Sequence, residues 1–290
     1  MSLLAYYARS RLLNIKKPLL AGMKITHECN LACRHCPFWR RPRQPMSFSL
    51  AQTTLQHLHT LGARLLIIEG GEPFFWKDDG YALGDIVRAA HKLFYHVGVT
   101  TNGTFPLDVD ASTIWVSIDG LRETHDRLRG ESFDRALAHI RCSPHPRVFA
   151  HITINALNWR EIPSLVRYLA DDVRAITFQF HYPYGNVSQD LVLPFGKRRV
   201  VLDELARLKR RGLPIADSNA CFKALKTNRW KCQPWMIASA DPDGSCTQGC
   251  YLQKRGEISC EQCGFSAHVE ISLAYSGVIS AIVAGARIFH

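Results

Sequence analysis

No polar low-complexity tract and no internal repeat interrupts the 290 residues, which argues against disorder and against a repeat architecture. Acidic residues are in the minority, 25 Asp and Glu against 36 Lys and Arg, so the formal net charge is +11. That excess favours anionic partners such as phospholipid headgroups or RNA, or else forms a solvated basic face. It is scattered in short clusters, at Arg9, Arg11, Lys16 and Lys17, at Arg40, Arg41 and Arg43, at Lys197, Arg198 and Arg199, and at Lys209, Arg210 and Arg211. A secretory signal is missing: the apolar run Leu19–Met23 is too short for an h-region, and no cleavage site follows it. The chain therefore reads as intracellular and cytoplasmic, where thiols stay reduced. Long apolar runs are scarce as well. Ile271–Ala286 has no charged residue across 16 positions, slightly short of the about 20 residues a spanning helix needs.

Cysteine, by contrast, is abundant, with ten in the chain. Three lie in the loop 29–36, six fall between Cys221 and Cys263, and Cys142 stands alone. Clustered thiols in a reducing compartment point to metal ligation, and disulfides are the weaker reading there.

Apolar runs alternate with amphipathic stretches from residue 21 to about 212, the rhythm of repeated βα units around a parallel sheet. Strands are expected near 21–27, 64–69, 95–100, 112–118, 147–155 and 174–181. Helices are expected near 48–62, 80–93, 132–141, 159–171 and 196–211, the first opened by Ser49 as N-cap and the last closed by Gly212. The resulting α/β fold is a partial (βα)6 barrel over 21–212. It is preceded by a basic amphipathic segment over 1–20 and followed by a cysteine-rich extension over 213–290 that ends in an apolar helix. Within the extension, residues 218–266 lack strong periodicity, so metal is expected to order them in place of an apolar core.

Cys29-Asn30-Leu31-Ala32-Cys33-Arg34-His35-Cys36 follows the first expected strand as a C-x3-C-x2-C loop. Three thiolates on a short loop can bind three irons of a [4Fe-4S] cubane and leave the fourth iron open. A chelating amino acid can occupy that iron, and electron transfer to a sulfonium there would break a carbon–sulfur bond. The competing zinc knuckle wants a fourth close ligand, and only His35 is near.

At these residues the sequence resembles the radical S-adenosylmethionine (SAM) superfamily. Gly70-Gly71-Glu72-Pro73 ends the second strand like that family's GGEP motif, whose backbone and carboxylate hold the SAM amino group. Glycines permit close approach to a ligand, and a carboxylate accepts from an ammonium. Thr101-Asn102-Gly103 and Ser117-Ile118-Asp119-Gly120 resemble family positions lining the SAM ribose and methionine, so Asn102, Ser117 and Asp119 are candidates; capping of the following helices is the alternative. In His125-Asp126-Arg127-Leu128-Arg129-Gly130 the resemblance puts Arg129 near the SAM carboxylate, against a surface ion pair. His35 stands where the family has an aromatic residue against adenine. Period-two geometry places His151, Thr153 and Asn155 on one face of the fifth strand, and Thr177, Gln179 and His181 on one face of the sixth; they either contact substrate or satisfy one another.

In the extension, Cys232, Cys250, Cys260 and Cys263, with Cys221 or Cys246 as substitutes, suffice for a second iron–sulfur cluster or a zinc or iron site. Trp230-Lys231-Cys232-Gln233-Pro234-Trp235, Cys250-Tyr251-Leu252 and Cys260-Glu261-Gln262-Cys263-Gly264-Phe265 with Glu270 resemble the adenosylhopene synthase type, although the stretch from Tyr251 to Cys260 is shorter. That resemblance implies an isoprenoid or lipid substrate attacked by a 5′-deoxyadenosyl radical, with a low-potential donor of flavodoxin or ferredoxin type. Peripheral contact with a membrane is compatible with the termini, or both are ordinary docked helices. The rivals are a peptide-modifying maturase of the SPASM type, a tRNA-modifying enzyme, although nucleic acid is not the expected partner, and a non-enzymatic metal-binding or RNA-binding module. The maturase rival is weakened here because such enzymes often carry an N-terminal recognition domain and the first strand is expected at residue 21.

Overall fold

The computed structural model describes residues 3–184 and 187–290. Eight strands form the main sheet: β1 (Leu20–Lys24), β2 (Leu65–Glu69), β5 (His96–Thr101), β6 (Thr113–Ser117), β7 (Val148–Ile154), β8 (Ala175–Phe180), β9 (Ile237–Ala240) and β10 (Cys246–Gln248). A short hairpin, β3 (Lys77–Asp78) with β4 (Tyr81–Ala82), stands apart. The order across the sheet is β10-β9-β1-β2-β5-β6-β7-β8, and only β10 runs antiparallel to its neighbour. The six expected strands are thus all present, in sequence order and parallel. Helices α2 (Phe48–Leu61), α3 (Leu83–His91), α4 (Arg122–Arg129), α5 (Phe133–Cys142), α6 (Ile162–Leu169) and α7 (Phe195–Arg210) are interleaved with them.

Strand pleating sorts the side chains. One face of the sheet (Met23, Leu66, Ile68, Val97, Val99, Ile114, Val116, Ala150, Ile152, Ile176) packs on helix residues such as Leu55, Leu58, Ile86, Val87, Phe133 and Leu165 in one continuous core. Each fully buried aliphatic there contributes about 1.5–3 kcal/mol. The opposite face lines the lumen with the register pairs Lys24↔Glu69, His151↔Thr177 and Thr153↔Gln179. Its floor is aromatic: Trp115 lies across Gly98, where a β-carbon would come within 2.3 Å of the indole.

Several local expectations change. Ser47, not Ser49, caps α2, because Ser47 has the extended backbone that lets its Oγ accept from the Leu50 N–H. Gly212 does terminate α7, with φ +89°. The 122–129 segment is a helix, α4, although its exposed face is so charged that no apolar stripe announces it. The extension is not held by metal alone. Helix α8 (Asn219–Thr227) buries Cys221, Phe222 and Leu225 in the main core, and β9 pairs in parallel with the free edge of β1. The charge-free stretch after residue 270 is two helices, α9 (Ser266–Tyr275) and α10 (Ile279–Phe289), bent by 119°. Gly277 supplies the left-handed residue in the break. Among the described residues no single helix is long and apolar enough to cross a membrane; the bent pair passes by length and composition only. The segment over 1–20 contains α1 (Leu3–Leu12), fixed where the buried Tyr6 hydroxyl donates to the Lys17 carbonyl.

The open side of the barrel, between the edge strands β10 and β8, is spanned by residues 250–265. Arg255 pairs with Asp241 and donates to the Ala240 carbonyl at the end of β9, while Gly264 lies against Phe180 of β8 and accepts its N–H. Tyr182, Leu252 and Phe265 form a separate small core beneath this crossing.

Candidate functional site

The Cys29–Cys36 loop leaves the C-terminal end of β1 and folds over the barrel mouth. It is tied down by backbone groups elsewhere: Arg34 N–H donates to the Leu128 carbonyl, and the Trp39 indole N–H to the Cys33 carbonyl. Asn102, at the end of β5, donates from Nδ2 to Asn30 Oδ1 (2.9 Å) and lies 3.7 Å from Cys29 Sγ, and its own Oδ1 accepts from Thr104. None of the three is in a disulfide, and Cys36 lies near enough to Cys29 and Cys33 to oppose their ionisation. Burial pushes Cys33 up to about 12 and Cys29 upward, with the Arg129 guanidinium acting in the opposite sense. Neutralising three crowded thiolates is what an iron cluster does, so the donor set fits one.

Gly70 and Gly71 meet a packing demand within the protein. A β-carbon at Gly70 would meet the Thr26 carbonyl at 2.7 Å, and one at Gly71 the Glu28 carbonyl at 2.1 Å, so the glycines admit the cysteine loop. Glu72 is fully buried and precedes Pro73 at N1 of a short 3-10 turn. Its Oε1 accepts from Thr101 Oγ1 and the Phe74 N–H, and its Oε2 from the Asn102 N–H at 2.7 Å. Oε2 keeps one further acceptor position. Burial raises this carboxyl to about 7 in spite of the three donors.

Asp119 occupies the end of β6 with no exposure. Arg129 Nη1 donates to its Oδ2 at 2.6 Å, the Thr153 N–H to its Oδ1 at 2.7 Å, and His35 Nε2 lies 3.4 Å from Oδ2. Burial works against the carboxylate, but Arg129, His35 and Thr153 outweigh it and hold it at about 2. The expectation of a surface ion pair for Arg129 is therefore replaced by a buried one. Arg129 Nε and His35 Nδ1 are buried without a protein partner and are open to a ligand. Ser117 sits at the last position of β6 and is nearly buried.

His151 hydrogen-bonds with Thr177 Oγ1 (2.9 Å), and Gln179 Nε2 donates to Thr153 Oγ1 (3.3 Å) across the lumen wall. His181 contacts the Ser188 carbonyl and stands edge-on to His35 at 6.4 Å. Asn155 follows the satisfied alternative: it is fully buried, with Oδ1 accepting from Leu157 and Asn158 and Nδ2 donating to Thr153. Sequence periodicity missed Lys24 and Glu69, a lumen ion pair at 3.0 Å beneath Phe38 and Tyr251. Two charged residues at matched register on parallel strands were the available signal.

The extension gathers four thiols. Cys232 is raised to about 12 by burial and then by Cys263, Cys250 and Cys260; Cys263 is raised by burial and then by Cys250 and Cys260. Asn228 Nδ2 donates to the Cys260, Glu261 and Cys263 carbonyls, and Arg198 to those of Gln262 and Cys263, which shapes the Cys260–Cys263 knuckle. Cys246 does not join them; its Sγ turns to the Gly244 carbonyl, and its charged neighbours are Asp241, Asp243 and Lys254. Cys221 lies behind Cys263 in the core, grouped with Asp217 and Glu270. A zinc tetrathiolate brings its sulfurs within about 3.8 Å of one another, from metal–sulfur bonds of about 2.3 Å. Among the described residues no three of these sulfurs already lie that close.

The Radical SAM superfamily model matches residues 23–169. The chain is 29% identical over 245 residues to Fe-coproporphyrin III synthase of Methanosarcina barkeri, covering 73% of this chain and 60% of that one. It is 28% identical over 168 residues to the sporulation killing factor maturation protein SkfB of Bacillus subtilis, covering 53% and 40%. The chain thus spans less than two thirds of the length of either. Its fold matches that of Streptococcus suis SuiB bound to S-adenosylmethionine (TM-score 0.68, 14% identity, 96% of this chain and 70% of that one). SuiB bound to precursor peptide SuiA gives a TM-score of 0.65 at 14% identity, over 83% and 62%.

Proposed function

The chain belongs to the radical SAM superfamily, as an enzyme that binds a [4Fe-4S] cluster and SAM, and from that premise we propose that it modifies a peptide by radical chemistry. In this reading Cys29, Cys33 and Cys36 hold the cluster and leave one iron to SAM. Together, cluster and SAM supply reductive cleavage of a carbon–sulfur bond and a carbon radical. The residues of the chain position the reactants. Glu72 Oε2 receives the SAM ammonium at its spare acceptor position, with Gly70, Gly71 and Pro73 shaping the turn. Arg129 Nε donates to the SAM carboxylate while Asp119 holds the guanidinium in place. Asn102 and Ser117 border the ribose, and neutral His35, lowered to about 4 by burial, flanks the adenine. His151, Thr153, Gln179 and His181 form the polar wall facing the substrate.

The observation that carries a peptide substrate is the second thiol set, Cys232, Cys250, Cys260 and Cys263, on the segment that spans the open side of the barrel. A cluster there supplies an acceptor for the electron that an oxidised side chain must shed. The maturation protein SkfB and SuiB with its precursor peptide favour this reading over an isoprenoid or lipid substrate. A tetrapyrrole is the second reading, favoured by the coproporphyrin synthase match running across 73% of the chain.

The test is anaerobic reconstitution with SAM and a low-potential donor of flavodoxin or ferredoxin type. 5′-Deoxyadenosine is assayed beside short peptides encoded next to the gene, iron coproporphyrin III and a lipid extract. A mass change confined to a peptide is the expected result. Change confined to the porphyrin or to a lipid overturns the peptide assignment.

A further inference from the structure

We infer that the end of the barrel opposite the cysteine loop docks on an anionic phospholipid bilayer. Helix α10 is built inside out. Its inward positions are the small residues Ala281 and Ala284, while Ile279 is 75% exposed, Ile282 48% and Val283 45%. An ordinary surface helix places its large apolar side chains toward the core. Here the helix packs on α9 and α8, and its C-terminal end reaches the N-terminal ends of the strands. Arg147, just before β7, donates to the Arg287 and Ile288 carbonyls, and Phe289 meets His96, the first residue of β5, at 5.0 Å.

The end of α1 continues the same surface. Leu12 and Leu13 are 82% and 63% exposed, and the preceding turn is fixed to the residues leading into α10. Arg11 donates to the Tyr275 carbonyl and lies 4.4 Å from that ring, and Tyr7 packs edge-on against it at 5.8 Å. The apolar side chains therefore stand on two helices joined through one tyrosine.

Charge names the occupant. Residues 1–27 and 271–290 contain no Asp or Glu, whereas Arg9 and Arg11 belong to α1, Arg287 to α10, and Lys16 and Lys17 to the segment that Tyr6 ties to α1. Asp172, at the same end of the barrel, is paired to Arg141. Asp108, Asp110 and Asp171 are also exposed at this end, on the connections entering β6 and β8, but the cations outnumber them, and exposed aliphatic residues among excess cations complement a bilayer of anionic headgroups over acyl chains. They complement a second copy of the same basic surface poorly, because like charges would face each other. Such docking leaves the barrel mouth facing away from the membrane.

Flotation of the full chain with DOPC vesicles and with DOPC vesicles containing DOPG tests this. Binding is expected only with DOPG and is expected to weaken as salt rises. Ile279→Ser with Ile282→Ser should lower the affinity about ten-fold or more. Lys16→Glu and Lys17→Glu should each lower it about five-fold. Unchanged melting temperatures show that the variants are folded. Equal binding to both vesicles, no binding to DOPG, or full binding by the Ile279→Ser, Ile282→Ser variant overturns the inference. So does a dimer in solution that this variant dissociates.

Discussion

Gly71 faces Glu28 so closely that a β-carbon on it would lie 2.1 Å from the Glu28 carbonyl oxygen. The obstacle is backbone, which cannot swing aside, and the Gly71 N–H also donates to the Thr26 carbonyl at 2.7 Å. Gly71→Ala should therefore displace the start of the cysteine loop, at a cost of about 1–3 kcal/mol for the forced shift. Iron content after reconstitution and the unfolding midpoint should fall together. Normal iron with a lowered midpoint would mean that the loop tolerates the displacement.

Asp119→Asn removes the anion opposite Arg129 while keeping its shape. The guanidinium would remain buried without its counter-charge, which costs about 3–5 kcal/mol when the pair is inaccessible to water. Denaturant unfolding should show that loss, and SAM affinity should drop with it. An unchanged midpoint would make the 2.6 Å contact energetically idle.

Cys260→Ala should lower the iron or zinc of the extension and leave SAM binding intact, whereas Cys33→Ala should abolish 5′-deoxyadenosine formation. Cys246→Ala should change neither, because its thiol lies among Asp241, Asp243 and Lys254. Metal analysis of the three variants checks the assignment; loss of metal in Cys246→Ala would move that cysteine into the set.

Glu270 is raised to about 7 by burial and then by Asp217, and Asp217 to about 6 by burial. Unfolded carboxyls titrate near 4. Between about pH 4 and pH 7 the folded chain holds protons that the unfolded chain has released, so these groups favour the fold at the acidic end and cease to do so as pH rises. Glu270→Gln should flatten that slope. Melting temperatures of both proteins across this window provide the measurement, and parallel curves would remove Glu270 from the pH dependence.

The barrel was legible because each of its strands combines an almost wholly apolar outer face with a bounded length, and because β–helix alternation leaves one topology. The cysteine loop, the glycine pair and the polar strand ends were legible as spacings. Four kinds of feature were not. Helix α4 hides because most of its residues are charged, and its buried Leu128, His125 and Arg129 face a site instead of an apolar core. Strands β9 and β10 are only four and three residues long, too short for a period to register, and their place is set by the vacant edge of β1. The packing of Gly70 and Gly71 against the backbone of the cysteine loop depends on a segment distant in sequence, so the motif alone does not reveal it. The split of the apolar C-terminal stretch into two helices turns on the left-handed Gly277, a residue that a hydropathy count passes over.

Residues 250–265 carry three of the four thiols proposed for the extension's metal site and also close the gap between the two edges of the sheet, so metal bound there would brace that wall of the vessel. Stripping the metal would unlatch a side door onto the lumen, giving dioxygen and water a route to the reaction space that does not pass the mouth. Air damage should then begin at this hinge of thiols before the rest of the barrel yields.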